Sequence, residues 1–124
     1  SRAEVKPEDI GLLQQAGLFD ELHLASGQAP LVIDSTEFLT DPRAFLQALC
    51  AHVGIGFEQD MLHWPAGPRD SDGIWAKHWY NAEWEAKGFS APQPKAVNLP
   101  PELQRIADAA RPYYDRLHIH SMKE

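Results

Sequence analysis

PLVIDSTEF, residues 30–38, is the stretch on which the fold turns. Leu31, Val32 and Ile33 form an unbroken apolar run that follows Gly27 and Pro30 and ends in Asp34 and Ser35. A short apolar run bounded in this way predicts a strand at 31–34 buried on both faces, the kind found inside parallel sheets. No second run in the chain reads as convincingly extended. A lone buried strand leaves both rows of its backbone N–H and C=O groups without partners, at a cost of about 1–3 kcal/mol for each group. Three resolutions stay open at this point. The segment is helical or irregular instead, it pairs with a second copy of the chain, or the chain is the second half of a larger α/β domain.

The elements around this segment read as helices. Pro7 suits a first helical turn, Glu8 and Asp9 suit the positive end of the helix dipole, and an apolar face through Leu13, Ala16 and Phe19 carries the pattern to Ser26 before Gly27. After the strand, Thr40-Asp41-Pro42 predicts a capped start, and Phe45, Leu46, Leu49, Cys50 and Val53 repeat at helical spacing as far as Gly54. Cys50 lies on that apolar stripe and is expected to be a packed, inert thiol. A short helix or turn is expected near residues 58–62, and HWPAGPRDSDG, residues 63–73, holds too many breakers for regular structure. Ile74, Trp75, His78, Trp79 and Ala82 predict a helix of about three turns up to Lys87, closed by Gly88, with Trp84 off the stripe. An extended connector over 90–97 leads to a last helix capped by Asn98, which Pro112 is expected to kink or interrupt.

Composition removes several function classes. With 18 acidic against 11 basic residues the chain carries a net charge of −7, opposite in sign to the footprint of a nucleic-acid binder. No apolar run reaches the length of a membrane span, and no signal-peptide pattern opens the sequence, so a cytoplasmic location is expected. The single Cys50 fits a reducing compartment. Six histidines include no HExxH and no Cys/His cluster, so no metal site is expected; His118 and His120 read as part of a solvated tail.

One segment concentrates chemistry. WPAGPRDSDGIWAKHWY, residues 64–80, brings three tryptophans, Arg69, Lys77 and His78 to a breaker-rich loop running into a helix. Flat apolar surfaces beside cationic donors suit a nucleotide. Arg69 could hold a phosphate in forked geometry, Gly73 would let backbone approach a ligand, and Trp75 could pack against a purine. The plainer reading makes Trp64, Trp75 and Trp79 core residues pinning the loop, and Arg69 and Lys77 solvated surface. His63 and His78 are candidate general bases by residue type, but the sequence places no substrate beside them.

The ordered series Asp41-Pro42, Gly54-Ile55-Gly56-Phe57, Met61-Leu62 with Trp64, and Asp72-Gly73-Ile74-Trp75 resembles the C-terminal half of P-loop sulfotransferase-like proteins. The likeness covers about residues 8–89. It implies an α/β fold in which residues 31–34 join a parallel sheet built mainly by an earlier half, so that residues 1–124 form the C-terminal portion of one incomplete domain. It also implies transfer of a sulfuryl group from 3′-phosphoadenosine 5′-phosphosulfate to a hydroxyl or amine. By resemblance Arg69, Gly73 and Trp75 lie on the donor's 3′-phosphate side, and Lys77 is a further candidate contact from the cationic character of the same segment. Asp70 stands where that loop carries a second basic residue, and Asp72-Gly73 reverses its Gly-Asp order. The phosphosulfate-binding loop has no counterpart in these residues. The implied partner is the missing N-terminal half or a second chain that completes the sheet, with a homo-oligomer as one form of it. The alternative is a non-catalytic helical interaction or dimerisation module presenting Trp64 and Trp79.

Overall fold

A computed structural model describes residues 4–123. A 3₁₀ turn at Pro7–Ile10 precedes helices α1 (Leu12–Ser26), α2 (Ser35–Thr40), α3 (Pro42–Val53), α4 (Ala76–Trp79), α5 (Asn81–Glu85) and α6 (Pro101–His118). Further 3₁₀ turns lie at Gln59–Met61 and Asp70–Asp72. Two compact units divide these elements. One holds the chain up to Asp34 together with Gln93–Met122, and the other holds Ser35–Pro92 with Lys123.

In the first unit α1 packs along α6, and Ala16, Ala110, Leu117 and Ser121 are buried. The single helix expected from Pro7 to Ser26 is two pieces. Gly11 takes a left-handed φ of 75°, which a right-handed helix cannot contain, so a 3₁₀ turn ends there and α1 starts anew. The apolar face of α1 is less covered than its composition suggests: Leu18 and Leu22 are each about half exposed. Arg116 reaches both carboxylate oxygens of Asp20, at 3.0 and 2.8 Å, in a solvent-exposed pair of the kind that contributes little.

The strand expected at 31–34 does not form among the described residues. The segment is extended but makes one isolated parallel bridge, Val32 with Ser121, in which the Met122 N–H donates to the Val32 carbonyl at 2.7 Å. The turn after α6 thus supplies a partner for a single residue. Ile33 is 39% exposed, so the run is not buried on both faces. Its far end is tied down by a side chain, the Tyr114 hydroxyl donating to Asp34 Oδ2. At the start of α6 the cap is Pro100 and not Asn98; its carbonyl accepts from Leu103 and Gln104 at 3.0 and 2.9 Å. Nor does Pro112 end the helix, which continues to His118. The proline forgoes one backbone bond, while Ala110 and Leu117 on either side hold α6 into the unit's core.

In the second unit α3 follows the sequence reading closely. Asp41 accepts from the Ala44 N–H at 3.1 Å, Pro42 opens the helix, and Gly54 closes it with φ 79°. The short helix α2 has no counterpart in that reading, which assigned no element between the strand and the Asp41 cap. Phe45, Cys50, Leu62 and Ala76 are buried. Around them Phe38, Phe89 and Trp64 meet edge to face, with ring centroids 5.0 Å (Phe38–Phe89) and 5.3 Å (Trp64–Phe89) apart. The Cys50 sulfur sits 3.8 Å from that of Met61, as a packed thiol should. The helix expected over 74–87 is split into α4 and α5 at Tyr80, whose backbone leaves the helical region.

Removing the Asp41 side chain tests the best-defined cap in the molecule. Asp41→Ala should cost about 1 kcal/mol, seen as a lower urea midpoint with an unchanged slope.

Candidate functional site

The breaker-rich loop of the second unit is closed at its base by backbone pairing. His63 and Gly88 form an antiparallel bridge, and the Trp64 N–H donates to the Lys87 carbonyl at 3.0 Å. The approach is close enough to require glycine: a methyl on Gly88 would lie 2.8 Å from the Leu62 carbonyl oxygen. Higher in the loop the Gly67 N–H donates to the Trp84 carbonyl at 2.6 Å.

Asp72 organises the tip. Its Oδ2 accepts the Arg69 backbone N–H at 2.7 Å and the Trp84 indole N–H at 2.8 Å, so one oxygen joins the 3₁₀ turn to α5. These bonds favour the charged form. The Asp72 carboxyl is held below the usual carboxylate range, chiefly by the Arg69 N–H, then by the Trp84 indole, with a further contribution from the Arg69 charge. Arg69 turns one guanidinium nitrogen back to the Pro65 carbonyl at 2.8 Å and is otherwise exposed. Gly73 follows with φ 79° and ψ 170°, a region essentially confined to glycine, and the space beside its Cα is open.

The residues singled out from sequence are thus placed unequally. Arg69 and Gly73 lie on one braced turn. Trp75 stands at the start of α4, 70% exposed, with its ring 6.1 Å from that of His78, and Lys77 is exposed on α4. Among the described residues no hydrogen bond, ion pair or ring contact joins Arg69 to Trp75 or Lys77. His63 and His78 are both exposed. Of the tryptophans read as core residues, Trp64 is packed against Phe89, whereas Trp79 is 72% exposed. The residues that sequence reasoning missed are Asp72 and Trp84 as a bonded pair. The only signal was that Trp84 falls off the helical stripe of its neighbours. Among the described residues no His/Cys/Asp/Glu group could hold a metal ion, and no helix is long and apolar enough to cross a membrane.

The family model of the sulfotransferase domain matches residues 1–121. The chain belongs to that family. Two relatives from Arabidopsis thaliana, branched-chain-amino-acid aminotransferase-like proteins 1 and 2, are each 34% identical to it over 112 residues. The match takes in 90% of this sulfotransferase-domain chain but only 20% of either relative, so the chain spans about a fifth of their length. No solved structure matches. Arg69 and Gly73 lie on a turn that carries exposed guanidinium donors, with open space beside the glycine Cα.

Two predictions follow from the loop's construction. Gly88→Ala should destabilise the protein by about 1–3 kcal/mol in denaturant melts, because the Leu62 carbonyl has to move. The acid response of the tip has a fixed sign: a folded value depressed below the ordinary aspartate pKa of about 3.9 gives stabilisation that is complete above that value and is lost as pH falls through the depressed one. The Trp84 indole N–H resonance should therefore stay constant from neutral pH down to about pH 5 and move only in stronger acid, while in Asp72→Asn it should not titrate.

Proposed function

We propose that this chain supplies the nucleotide-side loop of a sulfuryl-transfer domain. Arg69, Gly73, Trp75 and Lys77 would line the adenosine 3′-phosphate end of a 3′-phosphoadenosine 5′-phosphosulfate donor. The donor supplies the sulfuryl group, and the acceptor is a hydroxyl or an amine. The observation that carries this reading is the braced Arg69 turn in a chain of the sulfotransferase family: the loop uses its internal hydrogen bonds to fix its own shape and leaves most of the guanidinium facing solvent. A rigid loop with an outward cation pays little ordering entropy when an anion arrives. Arg69 would bind phosphate, Lys77 would add charge from α4, and Trp75 offers an exposed ring for a base.

The phosphosulfate itself would be held by polypeptide outside these residues, with which the extended segment 31–34 pairs along its remaining backbone edge. Two observations support that division. The segment is extended yet bridged at one residue only, and the relatives are far longer than this chain. Transfer would then require the complete protein. The aminotransferase in the relatives' names describes proteins of which the shared stretch is a fifth, and it is not carried over.

A second reading rests on Ile74 and Trp79, which are 79% and 72% exposed: a non-catalytic module that docks this apolar surface on another protein or a second copy. The two readings separate in one set of titrations. Calorimetry of the complete protein with adenosine 3′,5′-bisphosphate should give saturable binding that Arg69→Ala weakens about tenfold, and Trp79→Ala should leave it unchanged. No binding, together with a change of sedimentation coefficient in Trp79→Ala, would favour the docking module.

A further inference from the structure

The proposed site uses Arg69 but does not explain what sets its position, and Asp72 has no role in it. A carboxylate beside an anion site is electrostatically unfavourable, and Asp70 already places one negative charge next to Arg69. Asp72 is nevertheless the group on which the loop converges. Both of its bonds land on the same oxygen, one from the Arg69 backbone and one from the indole of Trp84, twelve residues further along. Trp84 in turn holds the loop twice, since its carbonyl also receives the Gly67 N–H at 2.6 Å. The Arg69 side chain adds its own strut to Pro65. Cut the Asp72 oxygen out of this arrangement and the Arg69 backbone and the α5 indole lose their shared anchor, while the Gly67 bond still ties the earlier part of the loop to α5.

We infer that Asp72 and Trp84 are a latch that positions Arg69 through one shared acceptor oxygen of Asp72, whose carboxylate charge strengthens both bonds. The inference rests on the nucleotide reading for its binding arm and on the loop geometry alone for its other arm. Because both donors share Oδ2, an asparagine can take over the whole arrangement with its amide oxygen while deleting the charge. Asp72→Asn should therefore keep the latch closed with weaker bonds, whereas Asp72→Ala should open it. Trp84→Phe keeps the ring and the backbone carbonyl but removes the indole donor, and should open it in part.

The test uses the complete protein with ¹⁵N-labelled arginine and tryptophan. In the parent protein and in Asp72→Asn the Arg69 amide and the Trp84 indole proton should exchange slowly with solvent; in Asp72→Ala both should exchange at least about tenfold faster. Equal exchange in Asp72→Ala and the parent would overturn the latch, whether or not the protein binds nucleotide. Titration with adenosine 3′,5′-bisphosphate then reads the consequence for Arg69. Asp72→Ala should bind about tenfold more weakly, Trp84→Phe should fall between, and Asp72→Asn should match the parent or bind more tightly, having lost a repulsive charge. Weak binding by Asp72→Asn equal to that of Asp72→Ala would overturn the acceptor role in favour of the charge. Absence of binding in the parent would remove the nucleotide reading and leave the exchange data to decide the latch.

Discussion

The backbone pairing of His63 and Trp64 with Lys87 and Gly88 is the constraint from which the rest of the candidate site follows. It closes a loop of more than twenty residues, whose ends would otherwise be free at an entropic cost that grows only slowly with length. Once closed, the loop and α5 lie face to face, and every later bond is between groups already held close. Gly67 meets Trp84, Trp84 meets Asp72, and Asp72 meets Arg69. The order matters physically, because the single-oxygen junction at Asp72 joins two segments that local sequence does not bring together. Gly88 is the narrowest point of this scheme, since any side chain there would collide with backbone and not with a side chain able to swing aside.

The first unit faces a different problem. Its extended segment needs backbone partners, and at Val32 the chain turning out of α6 supplies one. Tyr114 and Asp34 fasten one end, and the Met122 N–H satisfies Val32 in the middle. Exposed leucines on α1 and the exposed Ile33 leave an open, largely apolar cavity of about 190 Å³ lined by Leu18, Phe19, Leu22, Leu31, Ile33 and Leu117. Family membership gives a setting in which a strand pairing with this segment would come from other polypeptide, and that completion stands as part of the proposed function.

What the sequence made legible divides along the same physical line. Local chemistry was readable: Asp41-Pro42 as a capped start, Gly54 as a stop, Cys50 as a packed thiol, the 63–73 stretch as a loop and the sulfotransferase kinship all came from residues near one another in the chain. Long-range bonds were not. Nothing in the spacing of Asp34 and Tyr114, eighty residues apart, announces their hydrogen bond, and the Asp72–Trp84 junction depends on a loop closure that no local pattern encodes. Apolar periodicity also overstated burial. It treated Trp79 as core material, whereas α4 and α5 break at Tyr80 and leave Trp79 in solvent. Gly11 and Pro112 erred in opposite directions, the glycine breaking a helix that its neighbours favoured and the proline sitting inside one that packing sustains.

The charge of this region sets how strongly it could hold a polyanionic ligand by itself. Between residues 63 and 88 three cations, Arg69, Lys77 and Lys87, stand against four carboxylates, Asp70, Asp72, Glu83 and Glu85. The rest of an acidic chain matters less, since exposed charges more than about 8 Å away are largely screened at physiological salt. A segment so nearly balanced cannot attract a highly charged nucleotide by its field. It can offer one forked guanidinium in a fixed place, which discriminates a phosphate's position better than it supplies affinity. Under the proposed function, the bulk of the attraction for a phosphosulfate would come from cations and backbone amides elsewhere in the complete protein. The near-neutral charge of the loop and the single bridge of the extended segment are both consistent with that proposed division of labour, one from electrostatics and the other from backbone hydrogen bonding.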